Sequence, residues 1–385
     1  MVQAWSLKRT LDTVEETSHA FSLPAALRRG LGGYDPPATE AELARIQADI
    51  DLMAFDLYGF SSADRAAAQL ETAKTQDKAS DDESDEEGAA MPIDQTDGLL
   101  SWAVGVAFGR FDWRLATGER AAPPEPESFD PLPEKSPGML LDSAHPFHAY
   151  PGILVDDNGH PHDLPRLVEE VLVCVDATVP PDVRRWLQRD FFPFHLQRYS
   201  KSRRKAPIYW PLSTASGSYT LWVYYPSLTS QTLYTAVNDF IEPKLKHVGQ
   251  EASALRTKGS ARSRDADRAL EALQSLEQEL LALRDMLLQI APTYRPNHDD
   301  GVQITAAPLW PLFRHKPWQK LLKDTWAKLE KGDYDWAHLA MAYWPDRVRE
   351  KCKTDKLLSI ALDLEHLYVE PEPAPTKARG RKKGS

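Results

Sequence analysis

Hydrophobic positions along this chain recur mostly at helical spacing, with short stretches that alternate as strands do. Leu7, Leu11 and Val14 predict a helix or two within residues 3–29. After a Gly/Pro-rich interruption, Thr39 opens a Thr-Glu-Ala-Glu capping sequence for a helix over about residues 40–58. Leu43, Ile46, Ile50, Met53, Ala54 and Leu57 share one face of that helix, and Gly59 stops it. A second short helix is expected from Ser62 to about residue 75. The sequence around LLSWAVGVAFG is apolar all round, which predicts a buried core helix, and Gly105 and Gly109, four apart, let a neighbour come close. Residues 153–155 read as a strand followed by a plain Asp157-Asn158-Gly159 turn, and 164–175 as an amphipathic helix. A helix starting at residue 182 and ending near Phe192 leads to two aromatic-rich strands, 208–213 and 219–225, joined by a Ser216-Gly217 turn.

The longest periodic signal lies further on. Leu273, Leu280 and Leu287 repeat every seven residues, with Leu276, Leu283 and Ile290 offset by three; Tyr234, Ile241, Val248 and Leu255 repeat likewise in the preceding segment. Pro243 fits the first residue of a helix continuation. The short Lys258-Gly259-Ser260 interruption favours an antiparallel, coiled-coil-like helical hairpin within one chain. Beyond it, Pro317 opens a helix over 318–331 and Asp335 one over 336–342 in a Trp-rich segment. The expected fold is α+β and mostly helical. Its parts are an acidic helical segment (1–75), an acidic linker (76–95) and a mixed α/β recognition-like domain with the aromatic β-hairpin (96–228). The helical hairpin (229–291), a helical Trp-rich part (292–369) and a basic tail (370–385) follow.

Composition changes this picture through charge. The net charge of -11 argues against simple nucleic-acid binding, yet residues 1–180 carry 13 Lys and Arg against 33 Asp and Glu, while residues 181–385 carry 33 against 24. Local field steers a polyanion more than the total does. The stretch DKASDDESDEEG has no apolar residue larger than alanine and predicts a solvated tether, and six prolines within 121–138 predict an extended connector. Two cysteines, Cys174 and Cys352, exclude a disulfide framework or a cysteine zinc site. The longest apolar run is too short to span a bilayer, and the N-terminus turns acidic where a signal peptide needs an apolar core, so a cytoplasmic protein without membrane contact is expected.

Candidate chemistry is sparse. Gly30–Gly33 with Asp35-Pro36-Pro37 imitates the glycine loop and catalytic tetrapeptide of an amino-methyltransferase, but the two motifs are fused, and Ala38 stands where an aromatic must stack on a flipped base. No catalytic residue is assigned. His145, His148, His160 and His162 with Asp156, Asp157 and Asp163 form a metal-ligand inventory without helical spacing, and read as loop histidines with no metal. The stronger signal is a run of five cations in eight residues, Arg198, Lys201, Arg203, Arg204 and Lys205, feeding the aromatic hairpin. Those five suit phosphates, with Tyr209 and Trp210 available to bases or sugars; Arg314 and Lys316 make a second cationic spot.

Several phrases carry a resemblance: RRKAPIYWPLST, SYTLWVYY, LYTAVNDFIEPKLK, HDDGVQITAAPLWPLFRHKPW and GDYDWAHLAMAYWPDRVREKCKTDK, with IDLMAFDLYGF and LLSWAVGVAFGRFDWR in the acidic half. Much of residues 40–365 resembles the C-terminal, target-recognition region of the adenine-specific DNA methyltransferases of phage-defence systems, the PglX type of BREX and the similar methylase of DISARM. In that family the catalytic domain lies upstream of this region. The resemblance therefore implies a polypeptide that grips double-stranded DNA, while S-adenosylmethionine is bound by a catalytic domain that is a separate polypeptide or is missing, and not by this chain. A non-enzymatic scaffold that binds other defence-system proteins through the helical hairpin is the alternative.

Overall fold

The computed structural model describes residues 2–28, 34–67, 95–124, 126–127, 130–150, 152–201, 204–259 and 263–370. The acidic tether, most of the predicted 62–75 helix and the basic tail lie outside those residues. The fold is a mostly helical α+β arrangement around a small antiparallel sheet, as the periodicities predict.

Three strands build that sheet: β1 (Ile153–Asp156), β4 (Tyr209–Ser213) and β5 (Thr220–Tyr224), in the order β1-β5-β4; β2 (Ser200–Lys201) and β3 (Arg204–Lys205) form a separate two-stranded ribbon. The aromatic hairpin is present as predicted, with Tyr209 opposite Tyr224 and Leu212 opposite Leu221. Gly217 adopts a φ of 79° in its turn, where a side chain on Cβ is strained. Pro211 has no amide proton to donate, and an edge strand tolerates it. β1 pairs along the other side of β5, Ile153 opposite Val223, and turns the hairpin into a buried sheet. The helix Gln95–Ala107 is buried from Leu99 onward and packs on the helix Leu164–Cys174. Gly105 faces the Phe111 ring, so its role as a close-approach point holds. Gly109 lies beyond the helix end at a φ of 71° instead of extending the stripe.

The chain continues helically through two prolines by the same device. Leu187–Phe191 is a π-turn just ahead of Pro193, and Ala236–Ile241 is another ahead of Pro243. A wide turn removes the carbonyl that a proline would block in a regular α-helix, so the helix expected to stop near Phe192 runs on to Arg198. The helices Glu242–Thr257 and Arg264–Ile290 form the predicted antiparallel pair, since Glu242 meets Arg284 while Gly249 lies near Glu277. Leu280, Leu283 and Leu287 are buried along the seam, as are Ile241 and Val248 opposite.

Two caps differ from expectation. Asp35, not Thr39, caps the helix Pro36–Leu57, accepting from Ala38 N at 3.2 Å. Asp300 reaches across the fold to accept from His338 N and Leu339 N, which starts that helix at His338, while Asp335 pairs with Arg347 instead. One core cluster draws on Phe21 and Leu23, the sheet, the helical hairpin and Trp318 together, so the boundaries at 228 and 291 do not part separate cores. A smaller cluster around Leu329, Leu339 and Val348 closes the C-terminal part.

Candidate nucleic-acid interface

The β2–β3 ribbon projects from the end of the helix Phe192–Arg198, pairing Lys201 with Arg204 and Ser200 with Lys205. Arg203 lies outside the described residues, and for Lys201 only the strand position is described. Arg204 is exposed and Lys205 half-buried. Lys205 stands near His315, whose imidazole is pushed below its ordinary pKa first by burial and then by the Lys205 charge. This proximity joins the two cationic segments singled out in the sequence. His315 Nδ1 accepts from Trp318 N at 3.4 Å and caps the helix Lys316–Lys331. That helix presents Lys316, Lys320 and Lys323 to solvent at i, i+4 and i+7. Lys323 Nζ lies 5.1 Å from the centre of the Trp310 ring. No described carboxylate lies within ion-pair distance of Arg204, Lys205, Lys316, Lys320 or Lys323. Lys320 and Lys323 are not among the contacts expected from the sequence, although their spacing on an amphipathic helix is legible there.

Four of the expected contact residues do something else. Tyr209 and Trp210 are wholly buried, Tyr209 against Phe108, Phe191 and His195 and Trp210 against Tyr225 and Phe313; they present nothing to a nucleic acid. Tyr209 stacks on Phe108 at 4.9 Å, and Trp210 donates its indole proton to Pro207 O. Arg198 is also buried and is neutralised by the acidic N-terminal segment, with Glu15 at 3.7 Å and Glu16 at 3.8 Å. Arg314 donates to Ser213 O at 2.6 Å and Thr214 O at 2.7 Å, and so staples the end of the hairpin.

Glu16 anchors a buried polar centre. Its carboxylate accepts from Ser101 Oγ at 2.7 Å, Tyr199 Oη at 2.7 Å and Arg110 Nη1 at 3.1 Å. Burial alone pushes its pKa up, but Arg198, Arg110 and the Tyr199 hydroxyl outweigh that and hold it below the usual carboxylate range. Nearby, His195 Nε2 accepts from Ile208 N at 2.8 Å and Tyr209 N at 3.2 Å, fixing the entry into β4. Burial brings the His195 pKa down to about 3, so the ring stays neutral.

The loop histidines serve packing. His148 Nε2 lies 2.8 Å from His162 Nδ1, and His160 stacks on Phe240 at 5.3 Å. Asp156 and Asp163 are taken by Arg184, and Asp157 by Lys244. Among the described residues no three His, Cys, Asp or Glu side chains form a group able to hold a metal ion. Likewise none of the described helices is long and apolar enough to cross a membrane. No profile of a known protein family matches the chain, and no curated protein matches it.

Proposed function

We propose that this chain is the DNA-gripping, target-recognition portion of an adenine-specific DNA methyltransferase of the phage-defence type that it resembles. It works in the cytoplasm on double-stranded DNA, and S-adenosylmethionine binding and methyl transfer belong to a separate catalytic polypeptide. The observation that carries the reading is the exposure of Lys316, Lys320 and Lys323 along one helix face, with Arg204 exposed on the ribbon and the Lys205 charge felt at His315. Cations spaced along an edge suit successive phosphates, which fix register without reading sequence. The aromatic hairpin is the rigid base under this edge and not a stacking surface.

Duplex affinity as a function of salt tests this. Replacing Arg204, Lys205 and Lys316 together by Ala is expected to reduce the slope of log K against log salt by about 2.7, at about 0.9 per lost phosphate contact. An unchanged slope removes this edge from the interface. A second reading, a scaffold for other defence proteins, is favoured by one feature. The far end of the helix Pro36–Leu57 exposes Leu52 by 50%, Met53 by 65% and Leu57 by 81%, with Tyr58 next to them exposed by 74%. The sequence places Met53 and Leu57 on the buried stripe, but both are exposed, although the helix packs on the helix Val2–Asp12. Stable association with a protein partner and no duplex binding by the chain favours that reading.

A further inference from the structure

Beside the cationic edge, the turn of the aromatic hairpin overhangs a cleft of about 460 Å³ between Ala215, the helix Arg264–Ile290 and the segment before Lys316. Its size falls in the range of small-ligand sites. Two charged groups frame it, each already held in place by the turn. Glu279 Oε2 accepts from Ser216 N at 3.3 Å, Ser216 Oγ at 2.6 Å and Ser218 Oγ at 3.1 Å. Burial pushes the Glu279 carboxyl up, but the bonds from Ser216, Ser218 and Thr214 prevail and keep it ionised. The Arg314 guanidinium is fixed on the hairpin carbonyls opposite. Gln278 offers a side-chain amide at the rim, while Leu283, Met286 and Leu312 supply an apolar wall.

A carboxylate only accepts hydrogen bonds, so the occupant must bring hydrogen-bond donors, and the apolar wall suits a flat, weakly polar body. We propose that this cleft takes a single unpaired nucleobase bearing an exocyclic amino group, its N–H atoms on Glu279 and Gln278 and its ring against Leu283 and Met286. The inference rests on the DNA-binding reading above and extends it, because Arg314 is followed directly by His315 and Lys316 of the phosphate-binding edge. A base displaced from a duplex held on that edge has a receptacle beside it, reached through Arg314.

The test compares a fully paired duplex with the same duplex carrying one bulged adenine or cytosine, for the wild-type chain, Ala282→Trp and Gln278→Ala. Both substituted side chains are exposed on the helix, which tolerates the changes. Wild type is expected to prefer the bulged duplex about tenfold, the scale of one stacked base, with a bulged thymine, which lacks the amino group, showing no preference. Ala282→Trp should abolish the preference and Gln278→Ala weaken it, while affinity for the paired duplex and its salt slope stay unchanged. No preference in wild type, or a preference that survives Ala282→Trp, overturns the cleft and leaves the cationic edge standing. Titration with AMP and CMP separates the other failure: their binding, blocked by Ala282→Trp, in a chain that binds no duplex upholds the cleft and refutes the DNA reading.

Discussion

His195 shows how a single side chain sets both geometry and pH response. Two backbone N–H groups, from Ile208 and Tyr209, point at Nε2, and that nitrogen accepts only while it is unprotonated. In the unfolded chain the ring takes up a proton below about pH 6.5, whereas in the folded protein it does so only near 3. The unfolded state therefore binds more protons through that window, and stability falls as pH falls from about 6.5 toward 3. His195→Gln should flatten this dependence by about 1.4 kcal/mol per pH unit, measured by denaturant unfolding across the window; an equal slope contradicts the assignment. Glu16 acts in the same direction at lower pH, since its depressed pKa gives stability that is lost as the carboxylate is protonated. Gly105 tests packing: a Cβ there would sit 2.6 Å from Phe111 Cε2. Gly105→Ala is expected to destabilise the fold by about 1–3 kcal/mol through overpacking, despite alanine's higher helix propensity. A gain in stability on thermal unfolding would show that Phe111 yields freely.

At the scale of elements, the helical hairpin carries a simple expectation. Leu280 is fully buried in the seam, and Leu280→Ala should cost about 2–5 kcal/mol. Leu288, 40% exposed on the same helix, should cost well under that when changed to Ala; equal losses would contradict the observed seam. This element was readable because heptad spacing and a short interruption are both local signals. The β-hairpin was readable for the same reason, through its strands and Gly217. What the sequence hid was long-range. Tyr209 and Trp210 lie in the interior because Phe108, about a hundred residues upstream, and Phe313, about a hundred residues downstream, pack against them. Arg198 is withdrawn from the surface by Glu16, which is still farther away along the chain. The run to Arg198 was hidden by proline chemistry, since Pro193 reads as a helix stop unless a π-turn precedes it.

For the whole molecule, the acidic half and the basic half are not separate electrostatic bodies. Glu16 and Glu15 are spent on Arg110 and Arg198 inside the fold, so part of the basic run is internal wiring, while Arg204 stays exposed. Local placement, and not the net charge of -11, decides where a polyanion settles. The most direct test is the salt dependence of duplex affinity for two charge-removal variants of equal size. Lys316→Ala with Lys320→Ala removes charge from the edge, and Lys246→Ala with Arg268→Ala removes it from the helical hairpin. The edge variant should lower the slope of log K against log salt by about 1.8, and the hairpin variant should leave it unchanged. Equal slopes for the two variants, or a wild-type chain that binds no duplex at low salt, would contradict the account.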